Sequence, residues 1–129
     1  MTHAPIPVED EELAHRIIGA AIEVHRVLGP GFLEKIYERA MCHELKLQCI
    51  GCEPQREILV PYKDIQIPGQ QLDLLVGSRV IVELKAVTEL HPLHHAQLLS
   101  YLKATGLRLG LLINFHVPVL KDGLKRVVR

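Results

Sequence analysis

The chain has no tryptophan, and aromatic residues make up only 4% of its 129 positions, so a surface that grips unpaired bases by stacking on exposed rings is not written into its composition. Excess charge is missing too. Fifteen Lys plus Arg balance fifteen Asp plus Glu, so no bulk positive field advertises nucleic acid, and only a local basic patch is left open. The apolar runs are short: Leu109 to Phe115 falls well below the roughly 20 residues that cross a bilayer, and no membrane span is expected. Met1-Thr2-His3-Ala4-Pro5, followed by acid at Glu9 to Glu12, has the wrong charge and pattern for a secretory leader, which makes a cytoplasmic location the expectation. Cysteine is scarce, since Cys42, Cys49 and Cys52 cannot all pair with one another, and reduced thiols suit that compartment. Repeats, linkers and low-complexity segments are absent. What is present, 48% hydrophobic and 23% charged residues, is the balance of a chain that folds by itself, as one domain over 1–129.

Leu13, Ile17, Ala20, Ala21, Val24 and Leu28 recur at spacings of three and four, which predicts an amphipathic helix over roughly Val8 to Leu28, stopped by Gly29-Pro30-Gly31. A second helix is expected from near Phe32 to about Leu47, with Tyr37, Met41 and Leu45 on its apolar side. After Pro54 the pattern shortens: Glu57 to Tyr62, Gln71 to Val76 and Val80 to Val87 predict an antiparallel meander. Helical spacing returns from Pro92 to Ala104. Leu107 to Phe115 reads as a buried strand, and Val119 to Arg129 as an edge strand or short tail. The expected class is α/β, with a mixed sheet flanked by helices and two of those helices N-terminal.

Side chains alternate across a strand, so Ile81, Glu83 and Lys85 share one face of the Val80 to Val87 strand while Val80, Val82, Leu84 and Ala86 meet the core. The charged face is expected to line a cleft. In the preceding strand Leu72, Leu74 and Val76 are expected on one face, with Asp73 and Leu75 on the other. Directly opposed residues of a hairpin share a face, so parity decides the turn. A two-residue Gly77-Ser78 turn puts Asp73 opposite Val82 on the core side, and an unpaired buried carboxylate costs on the order of several kcal/mol. A three-residue loop, Gly77-Ser78-Arg79, pairs Val76 with Val80, Leu74 with Val82, and Asp73 with Glu83. That register brings two carboxylates to one place, where they share a divalent cation or repel each other.

Asp73, nine intervening residues, then Glu83-Leu84-Lys85 resemble the D-x(n)-(D/E)-x-K signature of the PD-(D/E)xK nuclease superfamily. Gln97 with Tyr101 resembles the Q-x-x-x-Y element of its RecB-like members, and Glu34 stands on an earlier helix where that group has an acidic residue. Gly31-Phe32-Leu33-Glu34-Lys35-Ile36-Tyr37 matches the G-x-x-E-x-x-Y signature that names one family of small proteins assigned there, and the likeness runs from about Ile17 to Val128. Leu72 stands where the name-giving Pro would. The resemblance implies a restriction-endonuclease-like core forming a single nuclease-like domain. It further implies Mg²⁺ or Mn²⁺ held by Asp73, Glu83 and the Leu84 carbonyl, with Glu34 completing the shell directly or through water. Lys85 would assist the attacking water beside Glu83 and Asp73, and Gln97 and Tyr101 would contact substrate, with Tyr37 either joining them or lying in the core. The partner implied is nucleic acid, DNA in particular, and cleaving both strands of a duplex favours a homodimer.

Other readings stand beside these. Asp73, Glu83 and Lys85 taken alone suit a cross-strand salt-bridge cluster, against which Glu34, Gln97 and Tyr101 in register speak. The alternative function is a catalytically silent module that binds nucleic acid or a protein, against which the intact acid pair speaks. Cys42, His43, Cys49 and Cys52 have the count and spacing of a zinc site, against the plainer reading of small residues in a connection. His91, His94 and His95 stand at a helix start, where they either meet phosphates or are merely solvated. Lys121, Lys125, Arg126 and Arg129 form either a phosphate track or a charged edge.

Overall fold

In the computed structural model, which describes residues 4–129, α1 spans Val8–Leu28 and buries Ala14, Ile17, Ala20, Ala21 and Val24 along one face. Met1 to His3, part of the leader argument, lie outside the described residues. Glu9, Asp10 and Glu11 in the first turn meet the positive end of the helix dipole. Gly29 closes the helix at φ 68°, its N–H bonding His25 O at 2.8 Å. The next helix, α2, is Glu34–Leu47, two residues shorter at its start than predicted. Phe32 is not helical because its N–H bonds the Tyr37 hydroxyl at 3.2 Å, holding an extended link ahead of the helix.

Five strands follow in the spatial order β1-β2-β3-β4-β5: β1 Cys52–Tyr62, β2 Ile65–Val76, β3 Val80–Lys85, β4 Leu109–Asn114 and β5 Leu124–Val128. β1, β2 and β3 are the antiparallel meander. Then α3, Pro92–Thr105, crosses over so that β4 runs parallel to β3, and β5 returns antiparallel on the far edge after a short 3-10 turn. This is the restriction-endonuclease-like mixed sheet expected. β1 and β2 are longer than predicted, by residues 52–56 and 65–70: these are mostly exposed and interrupted by Pro54, Pro68 and Gly69, and each extension pairs with the predicted part of the other strand. β3 is shorter, ending at Lys85: the Asn114 side chain accepts the Val87 N–H at 3.1 Å and donates to the Val87 carbonyl at 2.8 Å, so a side-chain clip replaces further ladder.

The sheet has a core on each side. α1 and α2 pack on Leu74, Val76, Val80, Val82, Leu84 and the inner residues of β4, while α3 packs Leu98, Tyr101 and Leu102 on Leu75, Ile81 and Leu112. Leu72 corrects the alternation read from sequence, because it joins the α3 side and not the side of Leu74 and Val76. The phase of β2 breaks at Asp73, which has no ladder partner in β1 opposite Gln55, itself in left-handed backbone at φ 51°. Most of the face predicted to line a cleft lies under α3: Ile81 and Glu83 are buried, and only its Lys85 end reaches open space.

Gly123 lies against the end of β4 so closely that a Cβ there would sit 2.1 Å from the Asn114 carbonyl oxygen. Backbone cannot give way like a flexible side chain. Gly123→Ala is expected to lose about 2–4 kcal/mol in urea unfolding, above the usual overpacking range, and to loosen the Asn114 clip on Val87.

Candidate active site

The ladder between β2 and β3 runs from Val76↔Val80 to Leu74↔Val82 and stops there. One residue further, side chains replace it. Glu83 Oε2 accepts the Asp73 N–H at 2.8 Å, and Asp73 Oδ2 accepts the Leu84 N–H at 2.8 Å. Each carboxylate thereby holds a backbone donor of the opposite strand, and the two stand side by side as parity required. The three-residue loop is present: the Arg79 N–H bonds Val76 O at 3.0 Å, with Gly77 and Ser78 both at φ 58°. Arg79 Nη1 reaches buried Asp10 at 2.9 Å, which ties the turn to α1.

Glu83 is 4% exposed. Burial first, then repulsion from Asp73 with Glu34 adding to it, push its carboxyl up to about 8, against the Asp73 N–H and the Lys85 charge, which favour the ionised form. Glu34, exposed, is the first residue of α2; that helix packs on the opposite side of the sheet, yet its charge reaches both Glu83 and His94. The site therefore draws on both helical layers. Lys85 is half-buried, two residues beyond Glu83 on the same face.

Next to this pair a cleft of about 640 Å³ is lined by Gln70, Lys85, Leu93, His94, Gln97 and Tyr101. Gln97 is exposed there. Tyr101 is nearly buried, its hydroxyl accepting from Gln70 Nε2 at 2.9 Å. Burial, then the charges of Glu83 and Asp73, hold its pKa above the usual phenol value, so the hydroxyl keeps a proton to donate.

Tyr37 corrects one expectation. It is fully buried and stacks on Phe115 with ring centroids 4.4 Å apart, its hydroxyl donating to Gly29 O at 2.6 Å and accepting from Phe32 N–H. No part of it is free for substrate. It fixes the link that presents Glu34 and is a positioning residue. The zinc reading is corrected as well: Cys42 and Cys52 meet at 3.1 Å, Cys49 is exposed in the turn before β1, and among the described residues no three His, Cys, Asp or Glu side chains converge as a metal cage. The acid face is likewise no closed cage. Two neighbouring carboxylates plus a third at longer range form a hard-oxygen donor set, which suits Mg²⁺, an ion that binds one or two carboxylates and keeps several waters.

Two contributors were not legible beforehand. Gln70 sits in a stretch of exposed strand with no apolar alternation, and Asn114 reads as an ordinary strand end. The histidines are partly resolved: His91 and His94 cap α3 reciprocally, while His95 is exposed. In the basic tail Arg126 pairs with Glu11, and Lys121, Lys125 and Arg129 are exposed around the edge strand.

A five-stranded mixed sheet between helical layers, with an acid pair and a lysine where β2 and β3 part, defines a restriction-endonuclease-like protein. The family profile of the PD-(D/E)XK nuclease superfamily matches residues 11–127, and the chain belongs to that superfamily. No curated protein and no solved structure matches it. PD-(D/E)XK nucleases generally use divalent metals and act on nucleic acid. No helix among the described residues is long and apolar enough to cross a membrane.

A carboxyl raised in the fold stabilises it fully below the unfolded pKa of 4.5 and progressively less as pH climbs towards about 8. In EDTA, the melting temperature of the wild type is therefore expected to fall relative to Glu83→Gln between about pH 5 and pH 8. Parallel curves across that range would contradict this assignment.

Proposed function

We propose that this protein is a metal-dependent nuclease that hydrolyses phosphodiester bonds of nucleic acid, DNA in particular, and that it is one nuclease-like unit of the G-x-x-E-x-x-Y type. The observation that carries the reading is the crossed pair of hydrogen bonds that sets Asp73 and Glu83 together beside Lys85. Asp73, Glu83 and the Leu84 carbonyl would hold Mg²⁺ or Mn²⁺, with Glu34 at its outer side. When bound, the ion supplies Lewis-acid stabilisation of charge on the phosphate and a water of lowered pKa.

The chain's own groups act around that centre. Glu83 and Asp73, each with one oxygen spent on a backbone N–H, keep the other for the ion. Lys85, the one ammonium lining the cleft among the described residues, orients the attacking water or stabilises the extra negative charge of the pentavalent transition state. Tyr101 and Gln97, one turn apart on α3, donate to the nucleic-acid backbone and set its register. A homodimer would let two such sites act on two strands, and the expected setting is the cytoplasm.

Circular and linear DNA, single- and double-stranded, together with RNA, tests this in Mg²⁺, Mn²⁺ and EDTA. Cleavage by the wild type is expected, abolished by EDTA and reduced about 10²-fold or more in Lys85→Ala. Asp73→Asn is expected to lose Mn²⁺ binding while keeping its circular dichroism spectrum. Cleavage that survives both EDTA and Lys85→Ala would refute the assignment. Folded, Mn²⁺-binding protein that cuts none of these substrates would point instead to a silent binding module.

A further inference from the structure

The N-terminus of α3 uses up its own donors. Pro92 has no N–H, the Leu93 N–H donates to His91 Nδ1 at 3.0 Å, and the His94 N–H donates to His91 O at 2.9 Å. In return the His91 N–H donates to His94 Nδ1 at 3.1 Å, so two histidines complete a reciprocal cap. The first helical N–H groups are therefore spent on the cap, and phosphate recognition at this end of the cleft falls to side chains.

One of those side chains has its proton placed by the cap. A backbone N–H can only donate, so Nδ1 of His94 carries a lone pair, the ring is neutral and its proton is on Nε2. The ring lines the same cleft as Lys85 and Gln97, within reach of the charges of Lys85 and Glu34. Burial first, then Lys85 and His91, disfavour the imidazolium there, against the Glu34 charge, which favours it.

We infer that His94 is a substrate-contacting residue, a neutral Nε2–H donor to a non-bridging phosphate oxygen of the nucleic acid in the cleft. The inference rests on the nuclease reading and adds to it a residue outside the acid–lysine set and the Gln97–Tyr101 pair. A neutral donor suits the place: beside Lys85 it binds phosphate without adding a second positive charge that the lysine would oppose. Its geometry also separates two duties, since Nδ1 caps the helix and Nε2 serves the cleft.

Two substitutions divide those duties. His94→Asn places an amide oxygen where Nδ1 accepts and leaves nothing at Nε2; His94→Gln reaches the Nε2 position with an amide nitrogen. Fluorescein-labelled single- and double-stranded DNA oligonucleotides, titrated by anisotropy in Ca²⁺ and in EDTA, report binding without a cleavage readout. His94→Asn is expected to melt with the wild type and bind Mn²⁺ equally, yet lose about tenfold in oligonucleotide affinity, the scale of one hydrogen bond to a charged acceptor. His94→Gln is expected to melt lower and regain most of that affinity. Wild-type affinity in His94→Asn would overturn the inference and leave His94 as a cap alone. So would wild-type protein that binds neither oligonucleotide in either condition. Mn²⁺ binding that is lost in Asp73→Asn and kept in His94→Asn tells failure of this inference from failure of the nuclease reading beneath it.

Discussion

Two backbone donors that the β2–β3 ladder leaves unpaired, the N–H groups of Asp73 and Leu84, are satisfied only by the carboxylates of the opposite strand. A buried N–H without a partner costs roughly 1–3 kcal/mol, so the acid pair is part of the sheet as well as of the site. The consequence runs in both directions. The strands separate where they do because side chains can accept what the ladder gives up, and the carboxylates converge because each is held by the other's strand. Truncating either one leaves a donor orphaned, whereas an amide of the same shape keeps the bond and removes the charge.

This arrangement opposes two tendencies. Hydrogen bonding draws the carboxylates together, and their charges push them apart in a place that water barely reaches. The fold answers with a proton on Glu83 or with a cation. Everything around the pair is positioned to keep it there: Arg79 and Asp10 anchor the loop, Asn114 ends β3 just past Lys85, and the Tyr37 hydroxyl fixes the link that leads into Glu34. These contacts come from the α1–α2 layer and from β4, which is why so small a sheet can hold like charges close together.

Much of this was legible because period-2 alternation and hairpin parity are hard constraints. Val80, Val82 and Leu84 had to face the core, so Glu83 and Lys85 faced away, and only an odd loop kept Asp73 out of that core. The same rule failed one residue earlier, at Leu72, because alternation assumes an unbroken pleat and the pleat breaks where Asp73 leaves the ladder. The irregularity that misplaced Leu72 is the one that builds the site. The hairpin was underestimated at 52–56 and 65–70 because those residues are mostly exposed, broken by Pro54, Pro68 and Gly69, and carry no sustained period. Tyr37 was ambiguous for another reason: a tyrosine one turn from an acid reads alike whether its hydroxyl meets substrate or a backbone carbonyl, and only the fold supplies Gly29.

Zero net charge looked neutral with respect to nucleic acid, and the distribution of that charge sharpens the point. Arg126 is matched by Glu11, Arg79 by Asp10, Arg56 by Glu53 and Arg26 by Glu23, which removes four cations from any phosphate track. Among the described residues Lys85 is the one permanent cation lining the cleft, close to two carboxylates and the field of a third. Such a cleft, taken by its side chains alone, repels a phosphodiester as much as it attracts one. Its remaining donors, Gln97, Tyr101, Gln70 and the Nε2 of His94, are neutral and contribute geometry more than long-range attraction. On the proposed reading, a divalent cation between Asp73 and Glu83 would reverse the local sign, so metal binding and substrate binding would be one electrostatic event, with the neutral donors deciding where the backbone lies once the charge permits it to enter.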